Sequence, residues 1–278
     1  MLIGLAISEI AERFQRAGIA SFQADAELLL AHHLGVSRGE LQAMALTDQD
    51  IDFAAVAKAV SLREARVPLQ HITGLAPFRS LELRVGPGVF VPRFETELVA
   101  QIGIDFLRSI PGASSAVDVG TGSGAIAISL ALETEASVKA IEISEEAAGY
   151  ARENISKYSA RVDLIQGDFR DELAKLRGLD LVISNPPYIP EDAIPVDPEV
   201  QLHDPQLALY SGPDGLDAIR ELVALSEISL RPGGMLVLEH ADGQSDSVRE
   251  LLLTAGWRGV SAHPDAAQRL RAVSAIRK

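Results

Sequence analysis

The chain has 278 residues, of which 47% are hydrophobic, so it can bury a substantial core in one large domain or two modest ones. It contains no cysteine, which excludes disulfides, thiolate metal ligands and cysteine nucleophiles. A net charge of -14 disfavours nonspecific binding to a phosphate backbone. No apolar run has membrane-spanning length, and Glu9 stands where a signal peptide would be basic, so we expect a soluble cytoplasmic protein.

Residues 1–75 have the periodicity of helices. In the first helix, four apolar residues follow the i, i+3, i+4, i+7 spacing of one buried face: Ile7, Ile10, Ala11 and Phe14. Ser21 is a candidate cap for the next helix, and the spacing of Ser37 and Glu40 predicts a capping box. A longer helix is predicted from about Asp48. Together these patterns predict a small helical bundle.

Residues 76–93 change to the period of strands. Residues 78–85 alternate between apolar and polar, a Gly-Pro-Gly turn occupies 86–88, and strand character resumes over 89–91. We therefore predict a β-hairpin that links the bundle to the rest of the chain.

Residues 94–278 alternate helices with short apolar strands. After a helix over 95–110, strands are expected at 116–119, 138–142, 161–165, 179–184 and 235–239, with a closing pair within 257–276. This alternation is typical of an α/β fold with a mostly parallel sheet that helices cover on both faces.

A glycine-rich turn joins the first of these strands to its helix, over Asp118, Val119, Gly120, Thr121 and Gly122. Glycines let the backbone approach a ligand closely, and free amides at a helix start favour oxygen-rich groups. The spacing also fits an NAD(P) fingerprint, so the turn alone leaves the cofactor open.

Two further strand ends carry groups that suit an adenine nucleoside. Glu142 ends the second strand, where a carboxylate can accept hydrogen bonds from a ribose diol. Asp168 and Phe169 follow the third strand and offer an acid for the exocyclic amine of adenine and a ring for stacking.

The fourth strand ends in Asn185, Pro186, Pro187 and Tyr188. Two prolines stop the strand and fix the backbone, which makes this segment a rigid polar lip at the sheet edge. Carbonyl oxygens of Asn185 and Pro186 can accept two hydrogen bonds from a planar NH2 group while Tyr188 stacks on it. Adenine, cytosine and a glutamine side chain all carry such a group.

These motifs together resemble class I S-adenosylmethionine methyltransferases (Rossmann-like) that modify amide or amine nitrogens. Their flanks resemble the peptide chain release factor N5-glutamine methyltransferases, over residues 25–32, 68–74, 91–97 and 239–244. The resemblance implies S-adenosylmethionine as cofactor, a class 1 release factor as protein substrate, and the glutamine of its Gly-Gly-Gln loop as acceptor. It implies no metal and no nucleic-acid substrate, and it makes the helical bundle the docking domain.

The resemblance also assigns roles. Asn185, Pro186 and Tyr188 are expected to carry catalysis, with Pro187 also contacting the substrate. The cofactor is expected to contact the glycine turn from Asp118 to Gly122, together with Glu142, Asp168, Phe169 and Asn185.

Three residues depart from the family pattern. Phe94 replaces a proline, His71 a tyrosine, and Glu142 an aspartate. Glu142 keeps the carboxylate, so its ribose role survives, whereas Phe94 and His71 alter only local packing.

Four other functions share parts of this pattern. A sister family that methylates a ribosomal protein shares the Asn-Pro-Pro-Tyr lip but usually lacks the Glu-Thr-Glu of residues 95–97. A nucleic-acid base methyltransferase shares the amine site, but the acidic chain disfavours it. An NAD(P)-dependent oxidoreductase leaves the lip unexplained. An adaptor that binds cofactor without turnover is the fourth.

Overall fold

The computed structural model describes all residues from 1 to 278 and divides the chain into two compact units. One unit comprises Met1–Leu75 with Pro195–His203, and the other comprises Ala76–Ile194 with Asp204–Lys278. A segment from the second half of the chain therefore belongs to the helical unit, which the sequence did not indicate. None of the helices combines the length and apolar character needed to cross a bilayer.

The first 75 residues form the predicted bundle, with helices α1 (Ile3–Arg16), α2 (Phe22–Leu34), α3 (Arg38–Leu46), α4 (Phe53–Glu64) and α5 (Leu69–Thr73). The apolar stripe of α1 is buried, and Ser37 and Glu40 form the predicted capping box. Two details were wrong. Helix α4 begins at Phe53, after a side-chain cap from Asp52, and Ser21 makes no capping hydrogen bond.

Arg63 anchors the segment Pro195–His203 in the helical unit. Its side chain is 3% exposed, and its guanidinium contacts Asp25 Oδ2 at 2.8 Å and Glu199 Oε1 at 2.7 Å. Arg66 also contacts Glu199, at 3.2 Å. A buried guanidinium needs such partners because an unpaired charge in the core is strongly destabilising.

The hairpin exists, but its turn was misplaced. Strands β1 (Leu75–Phe78) and β2 (Leu81–Arg84) pair around Arg79 and Ser80, and residues 89–91 form no strand. Arg79 takes a left-handed conformation, with φ of 53°. Its backbone N–H donates to Glu97 at 2.8 Å, and its guanidinium bonds Glu133 at 2.7 Å. These distant partners stabilise a turn that local propensity would not select.

The second unit contains a seven-stranded sheet whose strands are β3 (Ser115–Val119), β4 (Ser137–Glu142), β5 (Val162–Gln166), β6 (Leu179–Ser184), β7 (Leu230–Glu239), β8 (Arg258–Pro264) and β9 (Leu270–Ile276), in the spatial order β5-β4-β3-β6-β7-β9-β8. The helices that precede or connect these strands are α6 (Thr96–Ser109), α7 (Ala125–Glu133), α8 (Glu145–Lys157), α9 (Phe169–Glu172), α11 (Asp217–Ser229) and α12 (Ser245–Thr254). Helix α10 (Pro198–His203) lies in the segment that belongs to the helical unit. Strands β3 to β7 pair in parallel, and β8 and β9 close the sheet antiparallel. The α/β prediction is confirmed.

Helices cover both faces of this sheet, as predicted. Residues of α6 and α7 pack with one set of strand side chains, and residues of α11 and α12 pack with the other. Because β5, β4, β3 and β6 are adjacent and parallel, their carboxyl ends meet at one edge. Open α/β sheets bind ligands at this edge.

Candidate active site

The strand order brings the four predicted motifs side by side. The glycine turn follows β3, Glu142 ends β4, Asp168 follows β5, and Asn185 follows β6. The backbone N–H of Gly120 donates to Ile141 O at 2.9 Å, and that of Gly167 to Glu142 O at 2.8 Å. These bonds tie the loops that follow β3 and β5 to the end of β4, the strand between them.

The glycine turn is open on its outer side. Gly120 and Gly122 have φ of +70° and +57°, a region that residues with a Cβ rarely adopt. A Cβ built on either glycine would have no heavy atom within 4 Å. The turn therefore presents bare backbone to unfilled space, as a cradle for a ligand requires.

Asp118 and Val119 support this turn from inside. Asp118 is buried, and its Oδ2 accepts from Thr121 Oγ1 at 2.6 Å and from Ala127 N–H at 3.1 Å. Burial raises the pKa of Asp118 to about 7. Val119 is also buried, and its carbonyl accepts from Ser184 Oγ at 2.7 Å. Asp118 thus braces the loop through Thr121 and Ala127, and the Val119 carbonyl ties the start of the loop to β6.

Glu142 faces the turn from the neighbouring strand. Its carboxylate is buried and accepts from the Gly122 and Ser144 backbone N–H groups, at 2.8 and 2.9 Å. A carboxylate offers about four acceptor sites, so two remain for hydroxyl groups of a ligand. Ser144 also caps α8, as predicted.

Asp168 and Phe169 have a partner that the sequence analysis did not name. Asp168 caps α9, accepting from Arg170 N–H at 2.9 Å, and pairs with the Arg170 guanidinium at 3.2 Å. That guanidinium also lies over the Phe169 ring, 5.0 Å from its centre. The two residues expected to bind adenine therefore both contact the Arg170 guanidinium.

Asn185 presents a free acceptor to the site. Asn185 is half-buried, and its Nδ2 donates to Thr96 Oγ1 at 3.2 Å. No group of the chain donates to its Oδ1. The amide is therefore held by its nitrogen, and its oxygen remains available for a donor such as an NH2 group.

Tyr188 is held at both ends. Its hydroxyl donates to Glu239 Oε1 at 3.4 Å, and its carbonyl accepts from Gln244 Nε2 at 3.0 Å. A Cβ on Gly215 would lie 2.2 Å from the same carbonyl, so only glycine fits there. Tyr188 is consequently anchored through both its hydroxyl and its backbone.

Sequence reasoning gave no role to Thr96, Glu239, Gln244 or Gly215. The first three lie within segments 91–97 and 239–244, whose resemblance to a known family was the available signal. That these residues support the lip is known only from their contacts in the folded structure. No cluster of three or more histidine, cysteine or acidic side chains has the arrangement of a metal site.

Glu239 is an unusual carboxyl group at the end of β7. It is 2% exposed, and burial raises its pKa to about 7. The hydroxyl groups of Thr96 and Tyr188 lower this pKa and favour the ionised form, whereas the charge of Glu95 raises it. Burial beside Glu239 also raises the pKa of the Tyr188 hydroxyl.

Comparison with known proteins identifies the family. Residues 6–74 match the family described as PrmC N-terminal domain, and residues 83–197 match the family described as methyltransferase small domain. The release factor glutamine methyltransferase of Streptomyces coelicolor is 48% identical, with 98% of each chain covered. That of Deinococcus radiodurans is 40% identical, covering 98% of this chain and 97% of the relative.

The chain belongs to the release factor glutamine methyltransferase family. This confirms the resemblance recognised in the sequence.

Solved structures agree on the fold of this family member. A methyltransferase from Pyrococcus furiosus superimposes with a TM-score of 0.54 at 20% identity, covering 71% of this chain and 89% of that one. A 16S rRNA methyltransferase from T. thermophilus, solved with AdoMet and guanosine, gives 0.53 at 18% identity, covering 73% and 50%. At these identities the likeness extends to the class I methyltransferase fold alone.

The raised pKa of Glu239 predicts a pH-dependent stability for this methyltransferase. The pKa of this carboxyl rises from 4.5 in the unfolded chain to about 7 in the folded one. Its contribution to stability is therefore complete below pH 4.5 and is lost as the pH rises through about 7. We expect Glu239→Gln to gain stability over wild type above pH 7, by up to about 3 kcal/mol. Urea unfolding followed by the fluorescence of buried Trp257, in the same unit, measures it.

The matched control is Glu250→Gln, which removes an exposed carboxyl from α12. Its stability should run parallel to wild type between pH 5 and 8. If the Glu239→Gln curve were also parallel, Glu239 would not be the group that titrates.

Proposed function

We propose that this chain transfers a methyl group from S-adenosylmethionine to the side-chain amide nitrogen of the glutamine in the Gly-Gly-Gln loop of class 1 release factors. The observation that carries this proposal is the fixed amide of Asn185, whose free oxygen lies at the same sheet edge as the open glycine turn. The name shared by the relatives supports the acceptor. The reaction would take place in the cytoplasm, where translation ends.

The residues at the sheet edge fit the proposed cofactor. Open backbone at Gly120 and Gly122 would accommodate the methionine part, and the two spare acceptor sites of Glu142 would bind the ribose diol. Asp168 and Phe169 would bind adenine, with Arg170 moving from the ring or stacking beside the base. When bound, the cofactor supplies an electrophilic methyl group on a positively charged sulfur.

The lip would orient the acceptor. An amide nitrogen is a poor nucleophile because its lone pair is delocalised into the carbonyl. Asn185 Oδ1 and the Pro186 carbonyl would accept its two hydrogens, which directs the remaining lone pair toward the methyl group. Orientation of this kind can supply on the order of 7 kcal/mol or more. Pro187 keeps the lip rigid because its ring fixes φ.

Tyr188 would bind the flat face of the glutamine amide. Its ring can stabilise the positive charge that develops on nitrogen, by about 1 kcal/mol. The methylated nitrogen is then strongly acidic and loses its proton to water, so the lip needs no general base. Anchoring through its hydroxyl and its backbone, described above, would hold Tyr188 for this role.

The helical unit is proposed to dock the release factor. It has its own hydrophobic core, and it contains the segment matched by the PrmC N-terminal domain. It also includes Pro195–His203, a few residues after the lip in the chain. Docking there would use a fold element separate from the cofactor site.

The acceptor is tested with purified release factor and methyl-labelled S-adenosylmethionine. We expect one methyl group on the glutamine of the Gly-Gly-Gln loop, located by mass spectrometry, because the lip accepts a planar NH2 group. A release factor with alanine at that position should stay unlabelled. Label that persists on the alanine form, or that appears on DNA, ribosomal RNA or a ribosomal protein, would contradict the proposed acceptor.

Asn185→Ala tests the lip itself. The change removes the free acceptor while leaving the glycine turn intact, so methyl transfer should fall by about 100-fold or more. Cofactor affinity, measured by calorimetry, should change much less. Near-normal turnover would mean that the acceptor amide binds elsewhere.

Gly122→Val tests the cofactor site. The side chain would fill the open space over the turn, and we expect S-adenosylmethionine binding to be lost in calorimetry. Gly112→Val is the matched control, since Gly112 also has a positive φ and no atom near an added Cβ, but precedes β3 at the other sheet edge. Unchanged affinity in folded Gly122→Val would reject the placement.

A further inference from the structure

Residues 82–88, here called the strap, lie against helix α8. At the end of the helix, the Tyr158 hydroxyl donates to the Glu82 carbonyl at 3.0 Å and accepts from the Glu82 N–H at 2.7 Å. Near the start of the helix, a Cβ added to Gly88 would lie 3.1 Å from Glu146 Cβ. Residue numbers rise along the strap as they fall along the helix, so the two run antiparallel.

Asn154 lies on α8 between these two contacts and hydrogen-bonds only backbone groups. Its side chain is fully buried. Its Oδ1 accepts from the Arg84 N–H at 2.7 Å, and its Nδ2 donates to the carbonyls of Arg84 at 3.0 Å and Ser123 at 2.9 Å. Arg84 belongs to the strap, whereas Ser123 directly follows Gly122 of the glycine turn. One side chain thus connects the strap to the turn.

The three partners leave the Asn154 amide one orientation. The Arg84 N–H can only donate, and the carbonyls of Arg84 and Ser123 can only accept. In a flipped amide, Nδ2 would face the N–H and Oδ1 would face both carbonyls, so all three hydrogen bonds would be lost. Buried polar groups without partners are costly, so the strap determines which end of the amide meets the turn.

The bond from Asn154 also sets the direction of the peptide group between Ser123 and Gly124. The carbonyl of this group points to a fully buried side chain, and its N–H donates to the Thr121 carbonyl at 2.9 Å. Gly124 has φ of +87°, and a glycine there offers little steric resistance to rotation of the peptide group. Without the Asn154 donor, the carbonyl would be satisfied only by turning toward water, on the open side of the turn.

We propose that Asn154 is a positioning residue for cofactor binding, which keeps the Ser123 carbonyl out of the space over the glycine turn. This inference rests on the proposed placement of S-adenosylmethionine at that turn. The methionine part of the cofactor carries a carboxylate, which can only accept hydrogen bonds. A carbonyl oxygen turned into the same space would repel that carboxylate and weaken binding.

The test compares two variants that each detach the strap from α8 at one point. Asn154→Ala removes the bonds to Arg84 and Ser123, whereas Tyr158→Phe, the matched control, removes only the bonds to Glu82. We expect the Kd for S-adenosylmethionine, measured by calorimetry, to rise at least about 10-fold in Asn154→Ala and to stay within about 2-fold of wild type in Tyr158→Phe. The KM for cofactor should rise with Kd, while kcat at saturating cofactor stays within about 3-fold.

A second variant separates the hydrogen bond from the loss of side-chain volume. Asn154→Asp has nearly the shape of asparagine and can still accept from the Arg84 N–H, but its carboxylate has no proton for Ser123. Its Kd should also rise at least about 10-fold. In ¹³C-labelled protein, the Ser123 carbonyl signal should move upfield in both Asn154 variants, because a hydrogen bond shifts a carbonyl signal downfield, and should stay in place in Tyr158→Phe.

A third measurement uses wild type alone. If opening of the Asn154 amide abolishes cofactor binding, cofactor must slow the exchange of its NH2 protons with water, by about 10-fold at a free concentration about ten times the Kd. The Glu82 N–H, which Tyr158 holds, is the reference and should slow by less than about 2-fold. Asn154 exchange that slows no more than Glu82 exchange would overturn the inference.

These readouts separate the inference from the proposed function. If both Asn154 variants bind cofactor weakly while wild type fails to label release factor, the positioning role stands and the proposed acceptor is wrong. Wild-type affinity in Asn154→Ala or in Asn154→Asp would overturn the inference, as would an equal loss of affinity in Tyr158→Phe. If Asn154→Ala does not fold, Asn154→Asp and the exchange of wild type decide.

Discussion

The parallel pairing of β3 with β6 is the constraint on which the site depends. Val119 lies opposite Ser184 in that register, and the Ser184 hydroxyl donates to the Val119 carbonyl at 2.7 Å. The next residue of one strand begins the glycine turn, and the next residue of the other is Asn185. A one-residue slip would turn every β6 side chain to the opposite face and separate the lip from the turn.

The lip combines rigid backbone with buried polar support. Prolines fix its chain, Gln244 and Gly215 hold the carbonyl of Tyr188, and Thr96 holds Asn185. Burying the Glu239 carboxyl is costly, as its raised pKa shows. This carboxyl accepts a hydrogen bond from Tyr188 of the lip, and buried groups with shifted pKa values tend to lie at functional sites. Under the proposed function, this rigidity would orient the lone pair of the acceptor amide.

Much of this protein could be predicted from local sequence. Strand ends at Val119, Glu142 and Ser184 were predicted to within one residue because apolar β-branched runs stop at glycine, acid or proline. The capping box at Ser37 and Glu40 was predictable because its hydrogen bonds join residues three apart. The alternation of strands and helices indicated a parallel sheet, and the carboxyl ends of adjacent parallel strands lie at the same edge of the sheet. The presence and approximate place of the candidate site were therefore already determined by the sequence.

Only the tertiary structure decided which residues support that site. The hairpin turn at Arg79 depends on Glu97 and Glu133, and the place of Pro195–His203 in the helical unit depends on Arg63. Asn185 meets Thr96 across 89 residues of chain, and Tyr188 meets Glu239 across 51. Such contacts carry no local periodicity or propensity, because their energy is gained only after the sheet has formed. The sequence determined which residues end the strands at this edge of the sheet, and the fold decided how those residues are oriented.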